Sequence, residues 1–378
     1  MNFALTDDQR MIRDAAEGFL AEASSSATVR AAMGSADGVD AGLWQRIARE
    51  MGWCATHIAE AHGGLGLGMV ELALLQEQMG RRLACVPFFS SVCLAATALQ
   101  QAASAAAQAL WLPRIADGSL RATLALSARG VQWDADAIGA TARRTAEGWQ
   151  LDGRFEHVPD GASAELMFVA ARVAEADEIG LFAVAAAQGG VTRAPLQTWD
   201  ETRRLATLEL RGVQLQPLDR VDVGADMHDA LERTNALAAL LLAAEQLGGA
   251  QQCLDLTLAY VAERTQFGQP IAAFQAVKHR CAEMMVRIEA TRSAVYGAAA
   301  LATAAQATLE LLMEAGAAKA QASEAFFFCA QEAIQLHGGV GFTWEYDPHL
   351  YFKRAQAGGH WLGSATQWRE RIARALLD

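Results

Sequence analysis

The sequence predicts an α+β fold. A helical N-terminal domain covers residues 1–120, a middle antiparallel β domain 121–222, and an antiparallel helical bundle 223–378. Two textures and one exclusion lead there. Apolar residues recur at helical spacing at both ends of the chain, whereas short apolar runs bounded by turn residues fill the middle. The spacing between those runs is too tight for intervening helices, which excludes alternating strand–helix units. A length of 378 residues allows two or three domains around a substantial core.

In the first part, Met11, Ile12, Ala15, Phe19 and Leu20 share one helical face, with Thr6 or Asp7 as the cap. The glycine-punctuated stretch AHGGLGLG, 61–68, separates an amphipathic segment at 41–52 from another at 69–84. An alanine-rich helical stretch follows at 94–111, and Pro113 and Gly118 close the section. In the middle, RATLALSA, WQLDGRFEHV, ELMFVAARV, IGLFAVAAA and ATLELRGVQL read as strands. Beyond them, helical segments are predicted near 225–263, 272–300, 302–335 and 364–376, joined by short loops as in a bundle.

Composition narrows the function classes. Hydrophobic residues make up 52% and charged residues 20%, the balance of a globular protein. A net charge of −12 argues against nucleic acid as a partner, since phosphate neutralisation needs a basic surface, but it leaves room for one anionic ligand in a local basic pocket. The N-terminus lacks a signal-peptide layout, and the longest apolar run, ALAALLLAA at 236–244, is too short to cross a bilayer. A cytoplasmic location with no membrane partner is expected. Six scattered cysteines without a Cys-x-x-Cys pair read as buried thiols. Cys54, His57, Glu60 and His62 fit no zinc signature, and no metal is expected.

Three stretches carry the chemistry: RTQFGQPIAAFQAVKHRCAEMMVRIEATR at 264–292, QLHGGVGFTWEYDPHLYFKRA at 335–355, and HGGLGL at 62–67 followed by a helix ending MGRRL. Arg264 stands before the turn QFGQP, where a planar fork can grip a diphosphate. The bare backbone at Gly338 and Gly339 lets a dinucleotide approach the main chain. Together, over nearly the whole length, these stretches resemble the acyl-CoA dehydrogenase family of flavoproteins. The resemblance implies FAD as cofactor, an acyl-CoA substrate, electron-transfer flavoprotein as acceptor and a homo- or heterotetramer. It further implies that Arg264, Phe267, Gln275, Gln335, Gly338 and Gly339 hold the pyrophosphate and adenosine end of a neighbouring subunit's FAD. Ser364 and Thr366 join the cofactor-binding set.

The sequence departs from that family at the reacting centre. The family's base is a carboxylate before a Gly-Thr/Ser turn, raised in pKa to suit an activated C–H acid. Here the turn reads HWLGSATQW, and counting from Gln335 puts Leu362 in that seat. The alternative seat on the first bundle helix falls on Ala238. Glu245, seven residues on, interrupts an apolar stretch and is the candidate base; the opposing reading is a glutamate partnered by a cation. Of the segments that line the flavin in relatives, Ser127 and Gly130 remain, while His157 and Pro159 replace the usual tryptophan and threonine. Three readings follow. The chain is a subunit that completes FAD for a partner in a heteromeric enzyme, as in α2β2 dehydrogenases of steroid side-chain CoA thioesters. It is a self-sufficient homo-oligomer using Glu245 as base. Or it is a non-enzymatic acyl-CoA-binding or assembly protein on the same scaffold.

Overall fold

The computed structural model describes residues 5–127, 137–176, 178–222, 224, 227–303 and 307–377. Six α-helices precede the sheet: α1 (Asp7–Ala23), α2 (Ser26–Met33), α3 (Ala41–Gln45), α4 (Met69–Arg81), α5 (Thr97–Ala102) and α6 (Ala105–Ala116). Wider π-type turns occupy Arg46–Glu50 and Phe89–Ala96. Thr6 caps α1: its hydroxyl accepts from the amide of Gln9, whose side chain accepts from the Thr6 amide in return. His57 and Cys54 are buried, and no three His, Cys, Asp or Glu side chains gather as metal ligands among the described residues.

The middle section forms one seven-stranded sheet of β1 (Ala122–Ala125), β2 (Ala140–Arg144), β3 (Trp149–Pro159), β4 (Leu166–Val173), β5 (Ile179–Ala185), β6 (Val191–Pro195) and β7 (Leu205–Leu215). It is mixed, which corrects the antiparallel expectation. β1 and β2 lie end to end along β4 and pair with it in parallel, through Ala122–Leu166 and Thr141–Arg172. The other pairings, β2–β3, β3–β7, β4–β5 and β6–β7, are antiparallel. Tight spacing in sequence signals hairpins, whereas β4 recruits its parallel neighbours over longer connections. The two-residue period of β4 links the layers: Leu166, Phe168 and Ala170 join the helical core, while Met167, Val169 and Ala171 pack inside the sheet domain.

Among the described residues five α-helices follow: α7 (Met227–Glu263), α8 (Gln275–Thr303), α9 (Thr308–His337), α10 (Pro348–His360) and α11 (Ala365–Leu377). Between α7 and α8 a small hairpin pairs β8 (Thr265–Gln266) with β9 (Gln269–Pro270). α10 lies outside the helical segments predicted from the sequence; Pro348 takes its first turn, where its missing N–H costs nothing. From Thr234 to Ala250 every residue of α7 is buried, so this central stretch has no polar face. No helix among the described residues is long and apolar enough to cross a membrane.

Candidate functional site

Glu245 lies in that fully buried stretch. Glycines at 80 on α4 and 248 on α7 let the two helices approach until a Cβ on either would strike the other's backbone. The Glu245 carboxylate accepts from Nη1 of Arg354 at 2.9 Å, from Nε2 of Gln76 at 2.7 Å, and from Nη2 of Arg203. Arg354 on α10 is fixed in turn by Oδ2 of Asp200 at 3.0 Å and by the hydroxyl and carbonyl of Thr202, each at 2.9 Å. Two guanidiniums and two carboxylates thus close a buried, charge-balanced quartet across α7, α10 and the β6–β7 connection.

This corrects the expectation of Glu245 as a free base. Burial alone would raise its pKa, but the charges of Arg203 and Arg354 and the hydrogen bonds they donate outweigh that and hold the carboxyl below its usual range. A base for a carbon acid needs the opposite shift and room beside it. The void that Glu245 lines holds about 30 Å³, the share of one liquid water. The cation-partnered reading fits. Arg203, Arg354 and Asp200 were missed; the available signal was that a glutamate in an apolar run requires a cation from elsewhere.

Leu362 is buried, adopts the left-handed region with φ 57°, and accepts at its carbonyl from Nε1 of Trp368 at 2.9 Å. Ala238 is fully buried on α7. Neither side chain can accept a proton. Beneath the Leu362 segment, the buried Lys319 of α9 donates to the carbonyls of Gly358 at 3.1 Å and Gly363 at 3.3 Å. Ser364 caps α11, its hydroxyl accepting from the amide of Gln367 at 3.3 Å, and Thr366 is exposed on the first turn. His157 has φ 55° within β3, and the Pro159 carbonyl accepts from Thr123 at 2.7 Å. Ser127 bridges to Ile138; Gly130 falls outside the described residues.

The remaining candidates gather at the other end of α9, about 24 Å from Lys319 at 1.5 Å per residue. Tyr260 near the end of α7 stacks on His337 near the end of α9, ring centroids 4.3 Å apart. That contact places Arg264 and the hairpin beside Gln335, Gly338 and Gly339. All six candidates here are exposed, and Phe267 at the hairpin tip, with φ 53°, is 92% exposed. A Cβ built on Gly338 or Gly339 would meet nothing within 4 Å, so bare backbone faces open space. A guanidinium, two amides and an unobstructed main chain on one open face fit a dinucleotide: the fork suits a diphosphate, and the glycines admit close approach.

Residues 6–119 match the model of the acyl-CoA dehydrogenase N-terminal domain, and residues 229–377 that of the acyl-CoA dehydrogenase C-terminal domain. The chain is 35% identical over 372 residues to acyl-CoA dehydrogenase IpdE2 of Mycobacterium tuberculosis, covering 97% of this chain and 96% of that protein. The chain belongs to the acyl-CoA dehydrogenase family. IpdE2 of Mycolicibacterium smegmatis is 30% identical, covering 97% and 98%. Among solved structures, the ChsE4–ChsE5 complex from Mycobacterium tuberculosis matches with a TM-score of 0.90 at 28% identity, covering 100% of this chain and 99% of that one. A steroid acyl-CoA dehydrogenase variant, Tcur3481–Tcur3483, matches with a TM-score of 0.87 at 31% identity, covering 98% of each. Within the acyl-CoA dehydrogenase family, then, this member has leucine and alanine in the two counted base seats and a glutamate bound by two arginines.

Proposed function

We propose that this chain is the FAD-completing subunit of a heteromeric acyl-CoA dehydrogenase in the cytoplasm. One contrast carries the reading. The nearest candidate base, Glu245, is held by two arginines deep in the core, while Arg264, Phe267, Gln275, Gln335, Gly338 and Gly339 stand open on one face. Relatives supply support: one matched structure is a complex of two named proteins, and another is a two-component steroid enzyme.

In this reading Arg264 pairs its fork with the diphosphate of a partner's FAD, Gln275 and Gln335 offer amides to the adenosine end, and Gly338–Gly339 admit it against the backbone. Phe267 covers the cofactor's flank and is itself buried by the partner. FAD, when bound, supplies the two-electron acceptor for α,β-dehydrogenation of an acyl-CoA thioester. The proton acceptor comes from the partner, since Leu362 and Ala238 have none to offer. Electrons then pass to electron-transfer flavoprotein, and the assembly is a tetramer.

The test is a visible absorbance spectrum and acyl-CoA turnover for the purified chain, alone and mixed with its partner subunit. The chain alone is expected to be colourless and inactive; the mixture should be yellow and active, and R264Q in the mixture should lose flavin. Turnover by the flavin-loaded chain on its own overturns the reading.

A further inference from the structure

Three rings tie the two segments of the open face to each other and to the N-terminal domain. Tyr260 stands one helical turn before Arg264, whose amide donates to the Tyr260 carbonyl at 2.9 Å. On α9, His337 lies between Gln335 and Gly338, and its ring is nearly parallel to that of Tyr260, 20° between planes at 4.3 Å. Tyr346 completes a triangle, 6.0 Å from each of the other rings. Its carbonyl accepts from Arg30 of α2 at 3.1 Å, and the neighbouring Asp347 accepts from Arg30 and Ser26, each at 2.7 Å. His337 is fixed as well. A carbonyl only accepts, so Nδ1 carries the proton donated to the Ala333 oxygen 2.7 Å away. The Arg264 guanidinium, by contrast, is engaged by no hydrogen bond or ion pair among the described residues. Where its fork points depends on how firmly its backbone is held.

We propose that Tyr260 and His337 are positioning residues for the dinucleotide site, their stack aiming the Arg264 fork while Tyr346 extends that hold to α2. The inference rests on the cofactor face proposed above and adds to it residues that act through Arg264 rather than on the cofactor. Two physical points support it. A planar fork grips a diphosphate bidentately only in a narrow range of distance and angle, about 0.5 Å and 10–20° for a binding constellation of this kind. The Arg264 carbonyl also accepts from the Ile271 amide at 2.8 Å, closing the base of the β8–β9 hairpin, so whatever steadies Arg264 steadies Phe267 at the tip. Without the stack, the last turn of α7 and the hairpin lose their ring contact with α9, and the guanidinium spreads over orientations that do not match the ligand.

The experiment titrates FAD by fluorescence into the mixed assembly, or into the chain alone should that bind FAD by itself. Y260L and H337L each remove one ring and keep apolar bulk, and each should weaken FAD by about 10-fold, the upper end of what an aromatic pair contributes. H337F restores a stacking ring and should return to within about 3-fold of wild type. An R264K background separates aim from fold stability. Lysine keeps the charge but is a point donor that tolerates misalignment, so adding Y260L to R264K should weaken FAD by less than about 3-fold further. A second readout needs no cofactor: the hydrogen-bonded amides of Arg264 and Ile271 in the isolated chain should exchange about 10-fold faster in Y260L. Tyr260 is only half-buried, so Y260L decides the matter if H337L does not fold. An equal effect of Y260L in both backgrounds overturns the proposal, as does unchanged FAD affinity or unchanged exchange. FAD binding by the chain alone overturns the subunit reading, and the same titrations then test the stack there. Binding by neither overturns both.

Discussion

Nη1 of Arg354 stands 2.9 Å from Oε1 of Glu245, joining two helices through residues 109 positions apart in the chain. The pair closes a quartet with Arg203 and Asp200, so a carboxylate that looked isolated in the sequence is the centre of a structural knot. Its chemistry follows from that setting. A carboxylate buried between two cations and held below its usual pKa is set up as a structural anion rather than as an acceptor for a carbon-bound proton.

E245Q tests this directly. The substitution keeps volume and one hydrogen-bond acceptor but leaves Arg203 and Arg354 facing a neutral amide in the core. Breaking a buried ion pair from one side typically costs about 3–5 kcal/mol. A loss of that order should appear in urea denaturation. The pH dependence has a definite sign. Because the folded carboxyl lies below its unfolded value of about 4.3, the contribution is complete above that pH and is lost as pH falls through the folded pKa. An E245Q protein as stable as wild type at neutral pH would mean the quartet contributes nothing.

G339L separates ligand approach from folding. A side chain at 339 meets open space, so the melting temperature should stay close to wild type. In the mixed assembly the same side chain would occupy the place proposed for the dinucleotide, and flavin content should fall at least tenfold. G338A differs, because Gly338 has φ 65° and ψ −144°, a backbone region essentially reserved for glycine, where an L side chain costs roughly 1–3 kcal/mol. It should lower stability by about that amount. Full flavin occupancy with G339L would remove the glycine pair from the cofactor site.

F267S addresses the exposed hairpin. A phenylalanine at 92% exposure contributes little to the stability of its own chain, so the isolated variant should melt like wild type. Aromatic anchors dominate interface energies, and truncating one often costs 2 kcal/mol or more. Association with the partner subunit, followed by analytical ultracentrifugation, should weaken by roughly 30-fold at that cost. Unchanged association would place Phe267 away from the interface.

The three-part order was legible because each part states its period locally. The long bundle helices and the five strongest strands all appear where the apolar runs lie. β2 and β6, ATARR and VTRAP, were hidden because their side chains are largely polar or exposed, so no alternation marks them. The parallel pairings of β4 depend on long-range register, which local spacing does not encode. Arg264, Gln335 and the glycine pair could be read from motifs within short segments. The Glu245 quartet could not, since Arg203 and Arg354 reach it from 42 and 109 residues away and only the tertiary fold brings them together.

Lys319 supplies the sharpest pH signature. Its ammonium is fully buried, with Nζ 2.8 Å from the Ser323 hydroxyl and within reach of the Gly358 and Gly363 carbonyls; no carboxylate is among these partners. Burial pushes it down to about 7, against about 10.4 for lysine in an unfolded chain. Between those values the unfolded chain holds a proton that the folded chain has released, so this group makes stability rise with pH across the window. Below about pH 7 both states are protonated and the burial penalty is complete. K319M keeps the length of the side chain and removes the titration. It also removes the donor to two carbonyls, a loss that shifts stability by a similar amount at every pH. The difference in unfolding free energy between K319M and wild type should therefore change with pH only above about 7, moving in favour of wild type by at most about 1.4 kcal/mol per pH unit up to about pH 10. Urea denaturation of both proteins at about pH 6, 8 and 9.5 measures it. Parallel curves would show that Lys319 keeps an ordinary pKa inside the core, with its charge stabilised by the carbonyls alone.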